Sequence, residues 1–586
     1  MALSSQLSLS QETTQLPCYR PAKSIPFELR EHCIIYFEEQ LCKDNTLHQH
    51  CEHCVDRHDA DSQALALLTN LLVAGTSLCT DSRLIPAHVP PPPQLALVAT
   101  LVVHPSLTTR TSSIEKQQAS NDALRFLRHL NTLVGPVSAR FSTAFAFTST
   151  NTSRRNGRRP RGPEPDTSDG NDDEGIIHAE IANAGSLWAR AEDFWHVVGW
   201  AFNCSVGWKN RWERWKLWLE FMLDALDDDL AECIQMRGKR SSGDKPTVGN
   251  GPLETSIIIQ YLKGLGETRT GRRRLMRAIF ADGGTKSLSE FKEVFANETK
   301  ERKKKEEDQE LTRPVKVDID QGIFGDYLDQ DDDDDSITMD VDQRTRSSTR
   351  LSALARGGSD VSLASETDFD RSTAKPETSD VGDSESFGGA EAVALRQRFI
   401  SLLAKASSAF PAEFCDLEDL FDVYTEFIRP LPLPIFSTLV SPSTPYLDHH
   451  THASLTQMLL RPLIASSAPK YDTNALRQAD LEACYLPYAA NSTGVADNAK
   501  VSLCVEALLR VLHRYAGLEP VASLATATET GIAARKKKAS FDGRKTTGEK
   551  EAAEEYAKTV LDMSALRMTL FLETLRGGQP SVTHNR

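Results

Sequence analysis

What the chain lacks excludes several classes of protein. No apolar run in its 586 residues approaches the ~20 positions of a membrane-spanning helix; the longest is Leu95–Val103. The opening MALSSQLSLSQETTQ has neither a basic start nor an apolar core, so it does not read as a secretory leader. Stretches alternating with period two are few, and no repeat of fixed length recurs, which argues against sheet architectures and strict repeat arrays. Catalytic motifs are missing too. There is no G-x-S-x-G elbow, no H-E-x-x-H pair, no kinase signature set and no dinucleotide fingerprint after a strand. Gly266 and Gly271 have the glycine spacing of a phosphate loop. Arg272 and Arg273 stand where such a loop needs a lysine and a hydroxyl residue. The chain therefore reads as non-enzymatic, with no catalytic or cofactor-binding residue to nominate.

Positive charge is in deficit. A net charge of -15 disfavours non-specific attachment to nucleic acid or anionic membranes, although the acid is concentrated in a few runs. The eleven cysteines are scattered, and several, such as Cys204 and Cys504, sit in apolar stretches. That pattern reads as reduced, buried thiols of an intracellular protein.

What is present is helical periodicity broken by charged text. After a tail at 1–20, a helical block at 21–148 carries stripes such as Leu65, Leu68 and Leu72, and a helix over Asp122–Val134. Leu95–Val103 fits a buried helix or a strand, entered through an extended Pro90–Pro93 spacer. Residues 149–175 are basic, then acidic, and almost devoid of apolar side chains, which predicts a disordered linker. A Trp-rich helical block follows at 176–300. In it Ser287 and Glu290 have capping-box spacing ahead of Phe291 and Phe295. An acidic, Ser-rich segment at 301–388 contains Asp331–Asp335 and reads as disordered. A C-terminal helical block spans 389–523, a basic polar insert 524–550, a last helix 551–575 and a tail 576–586. The fold class is all-α: an irregular, α-solenoid-like helical repeat or a multi-helix bundle, with long disordered inserts.

Four features are candidates for function. All seven tryptophans lie between 188 and 218, and Trp208, Trp212 and Trp215 share a helix side with Arg211 and Arg214 nearby. Aromatics among cations suit a protein interface or a nucleic-acid stacking platform. They equally suit a thick helical core. The acids at 224 and 227–229 repel phosphate and favour the core. The second feature is His48, Cys51, Cys54 and His58, which bear zinc-type ligands; their crowding into eleven residues, without a second CxxC, favours a polar loop. Third, Arg154, Arg155, Arg158, Arg159 and Arg161, and again Arg535, Lys536, Lys537 and Lys538, resemble nuclear-import runs. Fourth, Ile323, Phe324, Tyr327 and Leu328 precede an acidic tract, as in docking segments that order on binding; Ser359 and Ser365, beside acids, are possible phosphorylation sites. The cluster His449, His450 and His452 looks like a loop. The expectation is a scaffold or adaptor for protein partners, nuclear rather than cytoplasmic, with nucleic-acid binding through 208–218 as the alternative. No cofactor is expected beyond a weak case for zinc, and no membrane partner.

Overall fold

The computed structural model describes residues 18–30, 32–33, 60–80, 83–147, 177, 179, 181–241, 256–266, 268–300, 387–469, 476–541 and 548–577. The expected linker at 149–175 and nearly all of the acidic segment at 301–388 lie outside them. The fold is all-α. Helices α1 (Ala60–Val73), α2 (Pro92–Leu101), α3 (Ile114–Val134) and α4 (Phe141–Ala144) build the N-terminal part. Then come α5 (Leu187–Arg190), α6 (Phe194–Gly207), α7 (Lys209–Ser241), α8 (Ile257–Lys263), α9 (Arg269–Ile279) and α10 (Thr285–Glu290). The C-terminal part has α11 (Gly389–Ala409), α12 (Leu417–Ile428), α13 (Leu433–Val440), α14 (His449–Leu463), α15 (Gln478–Cys484), α16 (Val495–Tyr515), α17 (Ala522–Ala539) and α18 (Glu549–Gly577). The described strands are β1 (Ala22–Ser24) and β2 (Ala87–Val89), paired in parallel with Lys23 opposite His88.

One apolar cluster runs through all three parts, from Ile25 to Leu572. α6 and α7 are its centre. Every residue of α6 from Phe194 to Ser205 is buried, so this helix has no solvent face. α11 crosses both α6 and α7, and α9 bridges from α6 to α12. α16 and α18 pair Ser502 with Ser564, Glu506 with Arg567 and His513 with Phe571. The partners rise in step, so the two helices run parallel.

Several segments depart from expectation for visible reasons. Pro92 and Pro93 open α2, where fixed φ and a missing N–H suit the first turn; Leu95–Leu101 is therefore helix. Ser287 caps nothing. Its hydroxyl donates to Asn203 Oδ1 at 2.7 Å, and α10 ends at Glu290 where a helix was expected to continue. Phe291 then enters α6 so closely that a Cβ on Gly199 would lie 2.3 Å from the ring. The three histidines are the first turn of α14, capped by Asp448, whose carboxylate accepts from the amides of His450 and Thr451. The polar insert expected at 524–550 is helix over Ala522–Ala539. Its threonine hydroxyls bond back to carbonyls four residues earlier, and Gly531 lies so close to the Leu486 carbonyl that a Cβ would sit 1.7 Å from it.

Five buried cations recur at one kind of place: Arg20, Arg211, Arg396, Lys500 and Arg535. Each donates to carbonyls at or just past the C-terminus of a helix in another element. Arg20 takes Leu72 and Ala74 at the end of α1, and Ile85 and Pro86 before β2. Arg211 takes Val103 after α2. Arg396 takes Ile279 and Ala281 at the end of α9, plus Phe387, with its guanidinium between the rings of Phe202 and Phe387 at 4.1 and 4.0 Å. Lys500 takes Arg429 and Leu431 after α12. Arg535 takes Leu486 and Tyr488 after α15. The last carbonyls of a helix lack intrahelical donors and carry partial negative charge, so a cation fits there.

Arg396→Met removes the charge and strands three carbonyls. We expect a loss of about 3–5 kcal/mol in folding stability, the usual size when one partner of a buried charged set is removed. Arg396→Lys should recover less than half, because an ammonium cannot fork to carbonyls on both sides. Urea midpoints of the purified variants measure both.

Candidate protein interface

The tryptophan cluster is core. Trp188, Trp195, Trp200, Trp212, Trp215 and Trp218 are all buried, and only Trp208 is half-buried, tilted on Trp200 at 5.4 Å. Of the interface candidates, Arg211, Trp212 and Trp215 are therefore corrected to interior residues. The cause is a second partner that the helix alone does not reveal. Arg211 donates from Nε and Nη2 to Glu298 Oε1 at 2.8 and 2.5 Å, and from Nη1 to Thr108 Oγ1 at 2.9 Å. The same Glu298 oxygen accepts from Trp215 Nε1 at 2.6 Å, and its other oxygen accepts from the Phe295 amide. One ion pair, fully enclosed, thus draws the Trp helix, the end of α2 and the chain after α10 together. The neighbouring cations are occupied as well. Arg214 donates to Asn121, and Lys216 pairs with Glu213 and Glu391. The acids expected to repel phosphate are engaged too: Asp224 meets Arg398 and Asp227 meets Lys405 on α11, Asp228 accepts from Asn131, and Asp229 from Ser256 and the Ile257 amide. A nucleic-acid platform at 208–218 loses its side chains to this packing.

The zinc candidates His48, Cys51, Cys54 and His58 lie outside the described residues, as do Arg154, Arg155, Arg158, Arg159 and Arg161 and the docking segment at 323–328 with Ser359 and Ser365. Among the described residues, no group of three or more His, Cys, Asp or Glu side chains is arranged to hold a metal ion. The second basic run is corrected in part. It lies in the last turns of α17, not in a loop; Arg535 is buried and Lys536 pairs with Asp562 at 2.7 Å. Lys537 remains exposed and Lys538 half-buried.

A cluster of perturbed titratable groups lies where the N-terminal segment meets α3 and α7. Burial pushes the Glu232 carboxyl up to about 7, and Asp229 and Asp228 add repulsion. Burial also raises Asp228, against the hydrogen bond it accepts from Asn131 Nδ2 at 2.6 Å, and it raises the Tyr19 phenol. Glu232 Oε1 is buried and unpartnered, 2.7 Å from where a Cβ on Gly135 would sit. This cluster has the chemistry of a strained contact and no room for a substrate.

The surface feature that stands out is on α18. Tyr556, Met563, Leu566 and Leu570 are 42, 46, 51 and 51% exposed. Tyr556, Met563 and Leu570 repeat at seven residues with Leu566 between the last two, an a/d-like stripe along about four turns of one face. The opposite face, with Ala557, Leu561, Ser564, Ala565 and Met568, is buried against α16 and its neighbours. Beside the stripe a groove of about 230 Å³ opens between α16 and α18, lined by Leu509, Arg510, Leu570 and Phe571. Its polar end is Glu506, which accepts from Ser564 Oγ and from Arg567 Nε and Nη2, and pairs with Arg510 at 2.6 Å. The sequence reading located this helix but not its outer stripe; the seven-residue spacing was the available signal. Burying four half-exposed apolar side chains is worth roughly 1 kcal/mol each, or about 4 kcal/mol together.

Two measurements test these assignments. Arg211→Ala should lower stability by about 3–5 kcal/mol, because it leaves Glu298 charged and enclosed; a surface cation would leave the urea midpoint unmoved. For Glu232 the folded value lies above the unfolded one. Its contribution is therefore complete below about pH 4.5 and is lost as pH rises through about 7. Glu232→Gln should flatten the fall in stability between pH 5 and 8 and leave the variant the more stable at pH 8, as read by thermal melts across that range.

No protein-family model matches the chain, and no curated protein matches it either.

Proposed function

We propose that the chain is a non-enzymatic helical scaffold or adaptor that binds protein partners, acting in the nucleus. The observation that carries this reading is the exposed apolar stripe Tyr556, Met563, Leu566 and Leu570 on α18, with the groove at its side. Contiguous apolar surface of this kind is a mark of partner-binding sites. The partner suited to it is an amphipathic helix whose apolar residues recur at three- and four-residue steps, laying one side chain into the groove lined by Leu509 and Phe571. The nuclear part rests on the basic runs, chiefly Arg154, Arg155, Arg158, Arg159 and Arg161, together with Lys537 and Lys538 on α17.

The test uses the full chain in cells with a photo-crosslinking amino acid at position 566. Discrete protein adducts should form in the nuclear fraction and vanish when Met563→Glu and Leu570→Glu are added, while circular dichroism of the triple-substituted chain stays helical. Adducts that persist through both substitutions, or none at all, would remove the α18 face as the binding surface.

A further inference from the structure

Among the described residues, the sheet at the N-terminal part leaves one edge uncovered, and the ground beside that edge is basic. β1 is bonded to a described strand on one side only. The Ala87 amide donates to Pro21 O at 2.9 Å, and the Ile25 amide to Val89 O at 3.4 Å. With Lys23 opposite His88, the slanted bonds of a parallel ladder turn the N–H and C=O of Lys23 toward β2. The same alternation turns the N–H and C=O of Ala22 and the N–H of Ser24 outward; the Ser24 carbonyl lies 3.3 Å from His88 Nδ1. Ala22, Lys23 and Ser24 are all exposed, and no other described strand covers them.

A cleft of about 320 Å³ runs beside this strand. Lys23, Ser24, Arg30, Val89, Pro90 and Arg140 are among the residues that line it. Arg140 is held out by a left-handed backbone at φ 59°, a conformation that non-glycine residues adopt sparingly. None of the three cations makes a hydrogen bond or ion pair with a described residue; Arg30 stands 5.3 Å over the Phe27 ring and has no carboxylate. No described acid lines the cleft. This contrasts with α9, where Arg269, Arg272 and Arg273 are all matched by Asp419, Asp422 and Glu426 of α12. Three cations without a described acidic partner, beside a strand edge that no described strand covers, are complementary to something acidic and extended.

We propose that the β1 edge and this cleft form a docking site for an extended acidic segment of a protein partner. The segment adds as a strand to β1 and takes its main-chain bonds from Ala22 and Ser24. Alternate side chains then fall on one face, so a segment with Asp or Glu at every second position sets its carboxylates on Lys23, Arg30 and Arg140. Main-chain bonds supply the affinity and the three cations the selectivity. This surface is separate from the α18 stripe and does not depend on it.

The experiment uses the full chain and a fluorescein-labelled peptide of alternating Asp and Val, with anisotropy as the readout. Three controls define the outcome: the Asn-for-Asp peptide, an alternately N-methylated peptide that cannot form the ladder, and an oligo-dT of equal charge. Saturable binding is expected for the first peptide only. The double variant Lys23→Glu and Arg140→Glu, both fully solvent-facing positions, should weaken it at least tenfold with an unchanged thermal midpoint, and should gain affinity for an alternating Lys and Val peptide. The proposal is overturned if the acidic peptide does not bind, if the N-methylated peptide binds equally, if oligo-dT binds as tightly, or if charge reversal leaves affinity within twofold.

Discussion

An all-helical core has to dispose of its helix ends. Each terminus leaves carbonyls or amides that the helix itself does not satisfy, and enclosing them without partners is expensive. Here the C-terminal ends of α1, α2, α9, α12 and α15 are enclosed, and each receives one buried cation from elsewhere in the chain. The complementary device serves an N-terminus. Asp229 of α7, itself buried, accepts from Ser256 Oγ and from the Ile257 amide at 2.7 Å each, at the start of α8. The short helices are thereby fixed to the long ones by polar contacts at their ends as well as by apolar contacts along their sides. A guanidinium suits the task because its planar fork reaches carbonyls in several directions while its stem packs against apolar surface.

The consequence is sharpest around α7. Its tryptophans need a roof, and the roof is irregular backbone after α10 carrying Phe291, Phe295 and Glu298. Glu298 satisfies Arg211, the Trp215 indole and the Phe295 amide at once. The aromatic cluster and the ion pair are therefore one construction: the rings exclude water, which strengthens the pair, and the pair orients the ring of Trp215. Between α9 and α12 charge stays nearer the surface. The Arg face of α9 against the acidic face of α12 consists of exposed pairs, each worth little, whose role is to set how the two helices align.

This division explains what was legible in the sequence. Long amphipathic segments such as α3, α11, α12 and α16 follow from their apolar spacing, and so does the all-α class. α6 is too apolar all round to show a face, yet its length and its neighbours still mark it as helix. The failures lie at polar residues whose partners are distant in the chain. Arg535 reads as one of a basic run, because nothing near it foretells the Leu486 and Tyr488 carbonyls 49 and 47 residues away. Arg211 likewise meets Glu298 across 87 residues. Ser287 and Glu290 have a capping pattern, but Asn203 holds the serine from 84 residues away. Local rules describe local competition, and each of these sites is decided by a tertiary competitor.

α18 shows the same logic turned outward. A helix at the edge of a bundle ordinarily places its large apolar residues inward. Here the inner face mixes Leu561, Met568 and Leu572 with the small residues Ala557, Ser564 and Ala565, which let α16 approach closely enough for Ser502 and Ser564 to bond at 3.0 Å. Tyr556, Met563, Leu566 and Leu570 are left outside. The polar groups facing α16 are matched through Glu506, and the stripe lies on the face of α18 turned away from Ser564 and Met568. A half-exposed apolar stripe, which invites aggregation when uncovered, is consistent with a cover supplied by another protein. The proposed partner contact therefore rests on this face and not on the tryptophan cluster, whose rings are spent on the core.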